Sequence, residues 1–212
     1  SFDPPRGSLR EALRSLFTQK AEDLSYEIIV IDNNSSDDTP ATVESLKSES
    51  PVPLRYFRES RQGNAYARNA GVEQAEASII AFLDDDCTAD ENWLTTIKRA
   101  FDRDPELDFV GGRVLPVWER DPPSWLNTAH WAPLALLDYG TETLNIDGQA
   151  PRGLLTANIA VRKEVFKELG GFLPSLQRVK GSIGSMEDHE FLQRICRSGK
   201  RGLYLPDSIT WA

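Results

Sequence analysis

Apolar positions along this chain come in two rhythms, short continuous runs and stripes at helical spacing, and the two take turns. Glu27 to Ile31, with Ile28, Ile29, Val30 and Ile31 in succession, predicts a strand, and Thr39-Pro40 then supplies an N-cap and a proline at the first turn of a helix reaching about Lys47. Leu54 to Phe57 predicts a shorter strand, Asn64 to Gln74 a helix, and Ser78-Ile79-Ile80-Ala81-Phe82-Leu83 a buried strand. Trp93, Leu94, Ile97, Ala100 and Phe101 fall on one face of a following helix. Near the start, Ser8-Leu9-Arg10-Glu11 reads as a capping box opening a helix with Leu9, Leu13, Leu16 and Phe17 on its apolar side. Alternating strands and helices predict an α/β domain, an open, mostly parallel sheet flanked by helices that binds ligands beyond the carboxyl ends of its strands.

No repeat, low-complexity tract or linker divides residues 1–212, so a single domain is expected. Its first helix lacks a strand before it. Pro4 and Pro5 make residues 1–7 a poor central strand. The expectation is therefore a first strand missing upstream of residue 1 and a vacant central position in the sheet.

Composition narrows the function. With 33 acidic and 24 basic residues, the net charge is −9, which argues against a nucleic-acid partner held by a general basic field. Cys87 and Cys196 are too few for a disulfide framework, and no apolar run approaches the roughly 20 residues of a membrane span. A cytoplasmic location is the expectation.

The densest charge is Asp84-Asp85-Asp86, directly after the apolar run ending at Leu83. Two like charges about 4 Å apart cost on the order of 1 kcal/mol in water and about 4 kcal/mol at a protein-like dielectric, so a cation there would be stabilising. Hard carboxylate oxygens suit Mg²⁺ or Mn²⁺ shared with substrate phosphates; a solvated acidic turn would use the same residues. A second cluster, Asp32-Asn33-Asn34-Ser35-Ser36-Asp37-Asp38, also follows a strand. Asp32 could accept a hydrogen bond from a base or ribose and Asn34 could donate one, or the segment could be an Asx-rich turn. Between them, Gly63 allows close backbone approach where a loop enters a helix, and Arg68 offers a cation for phosphate or base, or an ordinary ion pair. Glu187-Asp188-His189 opens a later helix, where the helix dipole by itself favours acidic residues.

In order and spacing, Val30 through Asp37, Gly63 through Gly71 with Ala67-Arg68-Asn69-Ala70, Phe82 through Asp86, Ala157-Asn158 and Glu187-Asp188 resemble the family 2 glycosyltransferases, inverting enzymes of GT-A fold. The resemblance runs from about Ser8 to Trp211. It implies a nucleotide-diphospho-sugar transferase-like sheet, with residues 1–115 as the nucleotide-binding half and 116–212 as the acceptor-binding half. By the same resemblance, Asp188 is the general base, and Asp86 with Asp84 holds Mn²⁺ or Mg²⁺. Asp32, Asn34, Gly63, Arg68, Asp84 and Asp85 bind the donor, while Asn158 and Glu187 face acceptor or sugar. The implied reaction moves one sugar from a nucleotide-sugar donor, a UDP-sugar by preference, to a saccharide or lipid-linked acceptor in polysaccharide or glycoconjugate synthesis, without nucleic acid. Peripheral membrane association through regions outside this chain, at the inner face of the plasma membrane, would fit such an acceptor.

Three departures qualify the resemblance. The opening strand with its Pro-Thr-type turn is absent, Ala212 stands where many members carry histidine, and Gln193 to Arg197 does not match the QxxRW motif of processive members. Single-sugar addition is therefore expected. His189 is a second-ranked base. Two other functions compete: a haloacid-dehalogenase-type phosphatase with Asp84 as nucleophile, because Asp84-Asp85-Asp86-Cys87-Thr88 fits DxDxT, and a catalytically inactive sugar-nucleotide-binding subunit. The aromatic stretch from Pro116 to Arg152 would serve acceptor cover, interface or core alike.

Overall fold

The computed structural model describes residues 8–21, 23–118, 120–123, 125–148, 152–176 and 186–212. Pro4 and Pro5 lie outside them. The capping box forms as expected: Ser8 Oγ accepts from the Glu11 amide and donates to Glu11 Oε2, starting α1 (Leu9–Phe17). Strand β1 (Ile28–Asp32) pairs in parallel with β2 (Leu54–Arg58), and α2 (Thr39–Leu46) connects them. Leu13, Ile28, Val43 and Leu46 are buried together, so this α1–β1–α2 unit has its own small core.

The remaining strands build a second sheet. After α3 (Asn64–Gln74) come β3 (Ile79–Phe82), β4 (Thr88–Ala89), α4 (Trp93–Arg103), β5 (Phe109–Leu115), β6 (Leu144–Ile146), β7 (Ile159–Arg162), α5 (Lys163–Leu169), α6 (Glu187–Arg197) and β8 (Gly202–Trp211). Their order is β3-β7-β5-β8-β4, with β6 also on β8. Only β5 and β8 are parallel; the β3–β7, β5–β7, β4–β8 and β6–β8 pairs are antiparallel. The expected mostly parallel sheet is thus corrected to a mixed one. The chain returns through β7 between β3 and β5, and its buried Ile159-Ala160-Val161 run has no periodicity that separates strand from helix.

Trp93, Ile97 and Phe101 of α4 pack on Val110, Ala160 and Leu205, which is the helical face read from the sequence. On the other face, Phe166, Phe172 and Phe191 form an aromatic cluster that joins α5 and α6 to the sheet; Phe166 and Phe191 stack at 5.0 Å. Gly112 is obligatory where β8 bulges, because a Cβ there would lie 1.9 Å from the Ser208 carbonyl oxygen.

β1 and β3 do not pair with each other. Between them lies a cavity of about 760 Å³, lined along both strands and, at their carboxyl ends, by Asp32, Arg68 and Asp84 to Asp86. Among the described residues no helix is long and apolar enough to cross a membrane.

Candidate functional site

Three carboxylates, Asp84, Glu187 and Asp188, converge on one guanidinium, that of Arg68. Arg68 projects from the first turns of α3, whose start depends on Gly63: its φ of 136° is strained for an L-residue, and its amide donates to Asn33 Oδ1 at 2.6 Å. Asn33 also donates to the Arg61 carbonyl at 2.7 Å, so the loop entering α3 is tied to the end of β1. Asn69, next along the helix, grips Phe172 through both its amide and carbonyl, each at 2.8 Å. That clamp brings the Phe172 ring beneath the Arg68 guanidinium, 5.6 Å away.

From this seat Arg68 reaches both sides of the site. Its Nη1 lies 2.6 Å from Asp188 Oδ1 and 3.2 Å from Glu187 Oε1, while Nη2 lies 3.6 Å from Asp84 Oδ1. Glu187 is completely buried and Asp188 partly exposed, both in the first turn of α6. That helix is positioned by Phe191 and by Arg194, which donates to the carbonyls of Leu169, Gly170 and Gly171 at the end of α5. Asp188 receives a second bond from the Thr156 hydroxyl, 2.5 Å to Oδ2. Burial pushes the Asp188 carboxyl above the ordinary range, assisted by the Glu187 charge and opposed by Arg68 and Thr156. Its position suits a proton acceptor.

The acidic triplet occupies the turn after β3. Burial raises the Asp84 carboxyl; Arg68 counters this, and the charges of Asp86, Asp188 and Asp85 add to it. Asp85 and Asp86 are exposed. Burial pushes the adjacent Cys87 thiol up, and the charges of Asp86, Asp84 and Asp85 add to the shift. Among the described residues no three His, Cys, Asp or Glu side chains converge to hold a metal ion. A cation taking one or two carboxylates and completing its shell with phosphate and water still suits this turn, because it would relieve the repulsion around Asp84. Thr88 pairs with Trp211, so the strand end carrying Ala212 runs beside the acidic turn.

At the end of β1, Asp32 is 3% exposed. It accepts from the Ser35 amide at 2.7 Å and the Tyr56 hydroxyl at 2.5 Å. Burial favours its neutral form, but these hydrogen bonds and the Arg58 charge outweigh burial and lower its pKa. Asn34, in a left-handed turn with φ 60°, accepts from Arg58 and faces solvent; Asn33 and Ser35, not Asn34, line the cavity.

Asn158 requires correction. It is 1% exposed, with Oδ1 accepting from Trp93 Nε1 and Ser208 Oγ and Nδ2 donating to the Arg113 and Ser208 carbonyls. Every hydrogen-bonding position of its amide is taken, which leaves nothing for a sugar hydroxyl. His189 also leaves the site, lying exposed beside Gln193 at 2.6 Å. In the aromatic stretch, Trp131 and Tyr139 pack against the core, whereas Trp118 and Trp125 are 40% and 65% exposed.

Residues 6–170 match the family model described as glycosyl transferase family 2. The chain belongs to that family. With membership established, the phosphatase alternative falls, since it gave no role to the Asp32 and Arg68 motifs. The family 2 chain is 28% identical over 166 residues to a glucosyl-dolichyl phosphate glucuronosyltransferase of Haloferax volcanii, covering 78% of this chain and 51% of the relative. It is 31% identical over 170 residues to glycosyltransferase AglE of the same organism, covering 78% and 51%, and 27% identical over 206 residues to the succinoglycan biosynthesis protein ExoM of Rhizobium meliloti, covering 96% and 62%. The chain thus spans roughly half to three-fifths of these relatives. Among solved structures, S. aureus TarS superposes with a TM-score of 0.71 at 21% identity, over 96% of this chain and 34% of TarS. The mannosyltransferase PcManGT from Pyrobaculum calidifontis, in complex with GDP-Man and Mn²⁺, gives 0.66 at 22%, over 96% and 52%. Both share the fold of this chain, the GT-A fold.

Three contributors escaped sequence reading: Asn33, Tyr56 and Thr156. Thr156 immediately precedes Ala157-Asn158, and Asn33 lies inside the Val30 to Asp37 motif beside Asp32, so position at a motif was their only signal. Tyr56 carried none beyond its place in a short strand.

Proposed function

We propose that this chain catalyses inverting transfer of a single sugar from a nucleoside-diphosphate sugar, a UDP-sugar by preference, to a hydroxyl of a saccharide or lipid-linked acceptor. The observation that carries this reading is the bridge of Arg68 between Asp84, beside the acidic turn, and Asp188 on α6. It sets a carboxylate suited to take a proton opposite a turn suited to hold a diphosphate.

Asp188 takes the proton of the acceptor hydroxyl. The acceptor oxygen bonds to the anomeric carbon from the face opposite the nucleotide, while the bond to the diphosphate oxygen breaks, so configuration inverts and the nucleoside diphosphate leaves. Asp32, held ionised, orients the nucleoside, and Arg68 offsets charge between the two substrates. Mn²⁺ or Mg²⁺ held by Asp86 and Asp84 would supply Lewis-acid stabilisation of the leaving group.

Relatives support the substrate class. Solved structures similar to this fold contain UDP-GlcNAc in TarS and GDP-Man with Mn²⁺ in PcManGT, and a Campylobacter jejuni relative is named for a PP-undecaprenol-linked substrate. A lipid-linked acceptor would put the reaction at the cytoplasmic face of a membrane. Thermal stabilisation by UDP, GDP and dTDP, each with and without Mn²⁺, tests the donor half. Stabilisation by UDP that requires Mn²⁺ is expected; indifference to all three nucleotides would overturn the assignment.

A further inference from the structure

The Thr156–Asn158 turn was expected to meet the sugar through Asn158, but that amide faces inward. The turn is anchored with unusual completeness. Asn158 ties it to Trp93 on α4, to Arg113 on β5 and to Ser208 on β8. Thr156, two residues earlier and 5% exposed, therefore projects from a rigid support. Its hydroxyl donates to Asp188 Oδ2 at 2.5 Å, while Arg68 donates to Asp188 Oδ1 at 2.6 Å.

We propose that Thr156 is a positioning residue for the base: it holds one carboxylate oxygen of Asp188 while Arg68 holds the other, fixing the orientation in which the acceptor hydroxyl is met. This rests on Asp188 being the base. A carboxylate oxygen has two lone-pair directions, so one bond to each oxygen leaves one direction on each for a substrate proton. Without the Thr156 bond, the carboxylate is free to turn both oxygens onto the Arg68 fork, the bidentate arrangement such pairs favour. The remaining lone pairs would then point away from the trained direction. Asn158 supplies the support, not a sugar contact, and the motif gains its role through the threonine.

The test compares Thr156→Val, which keeps shape and burial, with Thr156→Ser, which keeps the hydroxyl, and with Asp188→Asn. Nucleoside diphosphate release from UDP-glucose, UDP-N-acetylglucosamine and GDP-mannose is followed with Mn²⁺, water or a saccharide serving as acceptor. Thr156→Val is expected to lower kcat about 10- to 100-fold, as misorientation of a reacting group does, with donor KM unchanged. Thr156→Ser should restore most of the loss. Wild-type kcat in Thr156→Val beside an inactive Asp188→Asn would overturn this inference alone. A kcat loss that serine does not restore, or that appears as a raised donor KM, would also overturn it by marking a packing role. An Asp188→Asn variant as active as wild type, or no release from any donor by wild type, would overturn the transferase mechanism and this inference together.

Discussion

Arg68 Nη1 stands 2.6 Å from Asp188 Oδ1, with the arginine side chain 13% and the aspartate side chain 27% exposed, and the same guanidinium contacts fully buried Glu187. Arg68 is thus the shared counter-charge of a carboxylate group that burial would otherwise destabilise. Arg68→Met should cost about 3–5 kcal/mol at pH 7, the usual penalty for stripping the partner from buried charges. The sign of its pH dependence follows from Asp84 and Asp188, both already raised by burial. Carboxylates whose folded pKa is raised favour the fold below their unfolded pKa and lose that contribution as pH rises through the folded value. Losing Arg68 raises both further, so the deficit should shrink between pH 7 and pH 5. Denaturant melts at the two pH values measure it; an equal deficit at both would contradict the shared role.

Asp32 behaves in the opposite sense. Its pKa is lowered despite burial, by the Tyr56 and Ser35 bonds and by Arg58. Its contribution to stability is present above the unfolded value of about 3.9 and disappears as pH falls through the depressed folded value. Tyr56→Phe removes the 2.5 Å donor and should shift the Asp32 titration upward, readable from its carboxyl carbon by NMR. An unmoved titration would show that the hydroxyl does not hold the charge.

Asn158→Ala should act on stability. The Trp93 indole, the Ser208 hydroxyl and two carbonyls lose a common partner, and each buried group left unsatisfied costs about 1–3 kcal/mol. Thermal melts should show a large loss while UDP affinity with Mn²⁺ stays unchanged. A stable variant with weakened nucleotide-sugar binding would restore the sugar contact rejected above.

How much of this was legible in sequence depends on how local the cause is. Leu9 to Phe17 and Trp93 to Phe101 announce themselves because a capping box in the one and a one-sided apolar stripe in each are written within a single element. Thr39, expected as the N-cap of α2, is instead its first helical residue, after an Asp38 cap that makes no side-chain bond. The Asp32 and Asp84 clusters were readable because each terminates an apolar run. Direction of pairing was not readable: β7 enters between β3 and β5 on account of contacts made by residues about 80 and 50 positions away, and its apolar run fits either neighbour direction. The fate of Asn158 was likewise decided by Trp93, Arg113 and Ser208, three residues that share no sequence neighbourhood with it. Arg68 could be singled out as a cation, but its simultaneous reach to Asp84 and Asp188 exists only once α3 and α6 are clamped to the same loop by Asn69 and Arg194.

The most direct measurement of the central assignment is single-turnover sugar transfer by wild type and Asp188→Asn, with the nucleotide sugar saturating in Mn²⁺. Loss of the base should slow the chemical step about 10²- to 10⁴-fold while nucleotide binding is retained. Transfer by Asp188→Asn at the wild-type rate would contradict it.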